Sequence, residues 1–193
     1  MSSRENSGAF ASPSRRPATG TRTRSSLRRP WGAGVYVRTC AARGTQYVDN
    51  DQGLFFSTEE NRPVVLFDGV CNLCNGGVNL AIDLDPPGKL RFAALQSDAG
   101  RALLRRAGRD PDDISSIVLV EENGAYVKSE AVLRIATYLE NPALPAAAAL
   151  GMLFPGALRD VIYDLVAANR YQFLGMRDEC RVGDARYDDR FVT

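Results

Sequence analysis

A five-residue apolar run, Pro63-Val64-Val65-Leu66-Phe67, breaks off at Asp68-Gly69 and gives way at once to a helical pattern. That order constrains the fold more than any other feature of the chain. A continuous apolar run of this length reads as a buried central strand. A strand that feeds a helix and then a second strand cannot be a hairpin, so the two strands must be parallel and joined by a crossover. Val78, Ala81 and Ile82 share one helical face, and Pro86-Pro87-Gly88 stops the helix. Lys89 to Leu95 is the second strand, Ser97 caps a helix running to Ala107, and Gly108 closes it. Ile117 to Val120 is a third strand, Asn123-Gly124 signals a hairpin, and Ala125-Tyr126-Val127 returns. Ser129 is placed to cap a last helix, whose Val132, Ile135, Ala136 and Leu139 keep helical spacing up to Asn141-Pro142.

Residues 62–140 therefore read β-α-β-α-β-β-α, with an antiparallel pair at the end. This α/β order is that of a thioredoxin-like mixed sheet, although the element count alone leaves ferredoxin-like and other α/β sandwiches open. Cys71-Asn72-Leu73-Cys74 narrows the choice, because it falls where the first strand meets the first helix. Unpaired amides and the positive end of the helix dipole face Cys71 there and favour its thiolate. Cys74, three residues on, shares the face of Val78 and is expected to point inward. Cys71 then reads as the attacking thiol and Cys74 as the resolving one. Two readings compete with this: a pair of core cysteines at chance spacing, and half of a zinc knuckle, which would need two further ligands.

Composition removes many alternatives. The 193-residue chain has no histidine, so His-based nucleophiles, His-ligated metals and histidine general bases are excluded. Its net charge of +1 averages two unlike parts. Residues 1–43 hold nine Arg and one acid (Glu5), a net +8, whereas the rest holds 15 bases against 22 acids, a net −7. An acidic body gives no support to nucleic-acid binding. The Arg-, Ser- and Thr-rich segment has no apolar core of secretory type and reads as an organellar transit peptide. Val37 to Ala42 resembles a stromal processing site, which favours a chloroplast, with a mitochondrion as the competitor and a disordered basic tail as the plain reading. Residues 44–61 are a polar leader, 62–140 the core, and 141–193 a helical extension and charged tail of the same domain.

Asp68, three residues before Cys71, can take or relay the proton that Cys74 releases, or can simply form the turn. An apolar strand followed by Asp-Gly also resembles the first motif of haloacid-dehalogenase-type phosphatases. Their nucleophilic aspartate would fall at Leu66, so that reading lacks its attacking group.

VVLFDGVCNLCNGGVNLAI, with LRFAALQSDAGRALL, VLVEENGAYVKSEAVL and LRDVIYDLVAANRYQFLG, resembles the DCC family of thiol-disulfide oxidoreductases, whose pattern Asp-x-x-Cys-x-x-Cys is here Asp68, Cys71 and Cys74. The resemblance covers residues 63–192. It implies a thioredoxin-like fold and protein-disulfide oxidoreductase activity; a non-catalytic thioredoxin-like module that keeps its dithiol as a structural or regulatory disulfide is the alternative. Thioredoxins place a cis-proline before the third strand, where this chain has Ser115-Ser116, so docking of substrate backbone in the thioredoxin manner is not expected to carry over.

Ala143 to Leu158 is apolar but broken by Pro145 and Pro155, too short for a transmembrane span, and reads as a helical hairpin or lid; peripheral membrane contact is the other use of such a segment. Leu158, Ile162, Leu165 and Val166 form the apolar stripe of the next helix, which Gly175 ends, and Arg170 is expected to pair with Asp160 or Asp164. Cys180, among acids, is expected to be a poor nucleophile in an exposed tail. No dinucleotide or phosphate loop is present, so no cofactor is expected. The expected partners are protein or small-thiol disulfide substrates and an unknown electron donor.

Overall fold

The structure is a computed structural model and describes residues 55–181 and 183–193. The basic segment 1–43, with Cys40, lies outside the described residues, as does most of the polar leader.

Four strands form one sheet: β1 (Val64–Phe67), β2 (Arg91–Ala94), β3 (Val118–Glu121) and β4 (Gly124–Val127), in the order β2-β1-β3-β4. β1 and β2 are parallel, while β1/β3 and β3/β4 are antiparallel. The crossover that makes β1 and β2 parallel is α1 (Asn72–Asp83); α2 (Asp98–Arg106) follows β2, and α3 (Lys128–Tyr138) follows β4. This is the α/β arrangement of a thioredoxin-like fold, extended by α4 (Ala143–Met152) and α5 (Gly156–Leu174).

β1 is buried on both sides, as its uninterrupted apolar run requires. Val64 and Leu66 join the layer under α2, with Leu103, Leu104 and Val120; Val65 and Phe67 join the layer under α1 and α3, with Val78, Ile82 and Ile135. Ser97 caps α2 by accepting from the Gly100 amide, and Gly108 takes a positive φ just beyond the helix.

Five local expectations are revised. The hairpin turn is Glu122-Asn123, one residue earlier than Asn123-Gly124, because Gly124 pairs with Glu121 and has no positive φ. Ser129 does not cap α3; its hydroxyl is bonded to Asp160 of α5. Phe55 and Phe56, read as part of a polar leader, are buried in the α2 layer, where Arg91 donates to the Phe55 carbonyl and its guanidinium faces the Phe56 ring. The charged tail is folded onto the core. Arg190 pairs with buried Asp85 at 2.6 Å, a 3₁₀ turn at Ala185–Arg190 leads to Phe191, and Val192 bonds the β2 backbone.

The fifth revision concerns α5. Its apolar stripe exists but is not buried: Leu158, Ile162 and Leu165 are each more than half exposed, Leu158 and Ile162 only line an open hollow beside Val132 and Leu133 of α3, and no residue of α5 is buried. The helix is held by its polar side instead. Asp164 pairs with Lys128, Asp160 bonds Ser129, and the Tyr163 hydroxyl accepts from the Ile117 amide at 2.8 Å. Among the described residues no single helix is long and apolar enough to cross a membrane; α4 and α5 would be so only together, and they meet at a bend of 116°.

Candidate active site

β1 ends at Phe67, and the next four residues turn the chain into α1 with Cys71 as its N-cap. The Cys71 sulfur accepts a hydrogen bond from the Cys74 amide at 3.4 Å, one of the donors that every helix start leaves without a partner. Asn75, one turn in, is buried and donates to the carbonyls of Gly69 and Cys71, which fixes the loop from the helix side. Cys71 and Cys74 are the free thiols among the described residues.

The two thiols differ in chemistry. A hydrogen bond from the Cys74 side chain, helped by the Cys74 amide and the charge of Arg170, outweighs burial and the Asp68 carboxylate and lowers the Cys71 pKa to about 6. Cys74 moves strongly the other way, because its proton is held by Cys71, it is buried from water, and both Cys71 and Asp68 are negative. The thiolate therefore belongs to Cys71. Their accessibility is reversed: Cys71 has no exposed surface, while half-buried Cys74 stands in the wall of a cleft of about 320 Å³ between α1, α3 and α5. Its walls are largely apolar, with Leu73, Val78, Ile117, Ile135 and Val166 among them.

A strap after α5 covers Cys71. Gly175, with φ of 75° and ψ of −170°, makes a turn that suits glycine, and Met176 then forms an antiparallel bridge with Cys71. Asn72 donates through its side chain to Leu174 and through its amide to Gly175, and Arg177 donates to the Val70 carbonyl at 2.8 Å. Cys180 continues this segment. It is half-buried rather than standing in an exposed tail, with its sulfur 3.8 Å from Gln96 Oε1.

Asp68 is 3% exposed and its carboxylate meets four donors. Oδ1 accepts from the Val70 amide at 3.2 Å and from Gln96 Nε2 at 2.7 Å. Oδ2 accepts from Arg170 at 3.2 Å and from the Tyr171 hydroxyl. Arg170 thus pairs with Asp68 and not with Asp160 or Asp164. Its local neighbours were the natural guess, but they are occupied by α3. Burial raises the Tyr171 pKa to about 12, with Asp68 adding to it, so the phenol remains a donor. Gln96, which sequence reading missed, also accepts from the Gly69 amide; its position just past the end of β2, beside the end of β1, was the available signal. No group of three or more Cys, Asp or Glu side chains among the described residues is arranged to hold a metal ion.

Residues 65–176 match the model of the DCC1-like thiol-disulfide oxidoreductase family. The chain is 46% identical over 156 residues to a chloroplastic DCC family protein of Arabidopsis thaliana, covering 78% of this chain and 90% of the relative. It is 39% identical over 140 residues to the uncharacterized protein YuxK of Bacillus subtilis (strain 168), covering 70% of this chain and 98% of that one. No solved structure matches. With Asp68, Cys71 and Cys74 gathered at one helix start and most of the described chain matched, the protein belongs to the DCC1-like thiol-disulfide oxidoreductase family.

Proposed function

We propose that the protein exchanges disulfides with protein or small-thiol substrates through Cys71 and Cys74. The observation that carries this reading is the placement of Cys71 at the N-cap of α1, where the Cys74 side chain and amide favour its thiolate. The Cys71 thiolate attacks a substrate disulfide; one S–S bond breaks, one forms, and the first substrate sulfur leaves as a thiolate. Cys74 then loses its proton to solvent or to that leaving group and attacks Cys71. The second substrate sulfur leaves, and two electrons have passed from the dithiol to the substrate. The reverse sequence oxidises a substrate dithiol. Once Cys71 is tied up in the mixed disulfide, its opposition to Cys74 ionisation is gone, and burial and the Asp68 charge are what still hold the Cys74 proton. A partner protein or small thiol would restore the starting state.

The test is turnover of a peptide disulfide. Cys71→Ser is expected to abolish it, and Cys74→Ser to accumulate mixed disulfides. A Cys74→Ser protein that accumulates no mixed disulfide while Cys71→Ser does would reverse the assignment. The covered position of Cys71 favours a second reading, a non-catalytic module that binds a partner, and absence of turnover in the intact protein would select it.

The site of action proposed is the plastid. The Arg-, Ser- and Thr-rich residues 1–43 and the chloroplastic name of the Arabidopsis relative support it. A fluorescent reporter fused to residues 1–43 should enter plastids; entry into mitochondria would select the alternative.

A further inference from the structure

Asp68 and Arg170 line the same cleft as Cys74, yet they come from opposite ends of the domain, 102 residues apart. Both are tightly fixed. Asp68 is tied to the loop by Val70 and Gln96, while Arg170 donates to the carbonyls of Ile114 and Ala167 at 3.1 Å and to the Tyr171 hydroxyl at 3.0 Å. The carboxylate receives four hydrogen bonds, about as many as its lone pairs accept. A charge held this firmly acts on its neighbours through its field.

We propose that Arg170 is a positioning residue of the redox site: by holding the Asp68 carboxylate in a buried ion pair with α5, it cancels the charge that Asp68 would otherwise set against a thiolate at Cys71. The inference rests on the dithiol reading above and adds a residue to it from α5. Asp68 opposes ionisation of both cysteines and Arg170 favours it, so the two act at the pair with opposite sign. The remaining titratable group facing the cleft is Tyr163 of α5, while α3 contributes Val132 and Ile135. Arg170 touches no reacting atom. It acts through Asp68 and through its own field.

The test is an ultraviolet thiolate titration of the reduced full chain, which requires no substrate. Arg170→Met should move the Cys71 midpoint up by roughly 1 pH unit, the size expected for loss of a nearby opposite charge. Asp68→Asn should move it down, and the double variant should return close to the starting value. Arg170→Lys, which keeps the charge but loses the planar fork, should move it less than Arg170→Met. If Arg170→Met does not fold, the double variant, which leaves no unpaired charge, is compared with Asp68→Asn and must titrate higher. A folded Arg170→Met protein with an unmoved midpoint, or a double variant that titrates with Asp68→Asn, overturns the proposal. Reaction with Ellman's reagent separates the two levels. A protein that shows these shifts but turns over no disulfide loses the exchange reading and keeps the Arg170 assignment.

Discussion

α1 and α5 both build the candidate site, and they are attached to the molecule in opposite ways. α1 buries Val78, Ala81 and Ile82 against the sheet, so that its attachment is apolar. α5 turns Asp160, Tyr163, Asp164 and Arg170 toward α3, the 114–117 loop and Asp68, and leaves Leu158, Val161, Ile162 and Leu165 in solvent. The difference teaches that the cysteines sit on a scaffold held by non-directional apolar burial, whereas their charge environment is delivered by a helix held by directional bonds. Such bonds are lost one at a time, so the α5 half of the site can be altered without dismantling the α1 half.

The largest contrast should come from truncating one apolar residue on each helix. Ile82→Ala on α1 should cost about 2–5 kcal/mol, as large-to-small core substitutions do. Leu165→Ala on α5 should stay within about 0.5 kcal/mol, as surface substitutions do. Denaturant midpoints decide it, and equal losses would mean that the outer face of α5 is covered in solution.

A second measurement probes the directional side. Tyr171→Phe removes one hydrogen bond to the buried Asp68 carboxylate and should cost roughly 1–3 kcal/mol. Lys128→Ala breaks the ion pair from α3 to Asp164 of α5 and should cost at most about 1 kcal/mol. If the two losses are equal, the buried end of α5 holds no more of its attachment than the exposed end.

The pH dependence follows from Cys71. Its folded pKa, about 6, lies below that of an unfolded cysteine, about 8.5. The folded reduced protein therefore binds fewer protons than the unfolded one between these values, and its stability should rise with pH through that window. The contribution is complete above about pH 8.5 and is lost as pH falls through about 6. Denaturation of the reduced protein beside Cys71→Ser across this range checks the sign; parallel curves would mean an unperturbed thiol.

The smallest effect on global stability concerns the strap. Gly175→Ala forces a side chain into a conformation that glycine tolerates best, costs on the order of 1–3 kcal/mol locally, and should loosen Met176 from Cys71. Faster alkylation of Cys71 with little change in global stability is expected. An unchanged rate would show that the strap does not limit access.

The α1 half of this comparison was legible in the sequence and the α5 half was not, for physical reasons. Strand β1, the Ser97 cap, the Gly108 stop and the CxxC at the helix start are written in local propensity and spacing, which act over a few residues. Periodicity correctly grouped Leu158, Ile162, Leu165 and Val166 on one face of α5, but it carries no information about which side of a helix meets the core. Nor can it choose among remote carboxylates, so Arg170 was matched to its own neighbours instead of to Asp68. Gln96, Phe55-Phe56 and the Asp85–Arg190 pair were missed because their partners are distant in the chain.

The distance between Asp68 and Tyr171 also has a consequence in time. The two are 103 residues apart, and a ribosome adding about 5–20 residues per second needs roughly 5–20 s to make the second after the first. Through that interval the nascent chain carries both cysteines while the arginine, the phenol and the strap that complete their surroundings have yet to be made. Until α5 is made, the dithiol has only the bonds of its own helix start to set the two thiols apart, without the arginine charge and the strap, and stands open to whatever oxidant it meets.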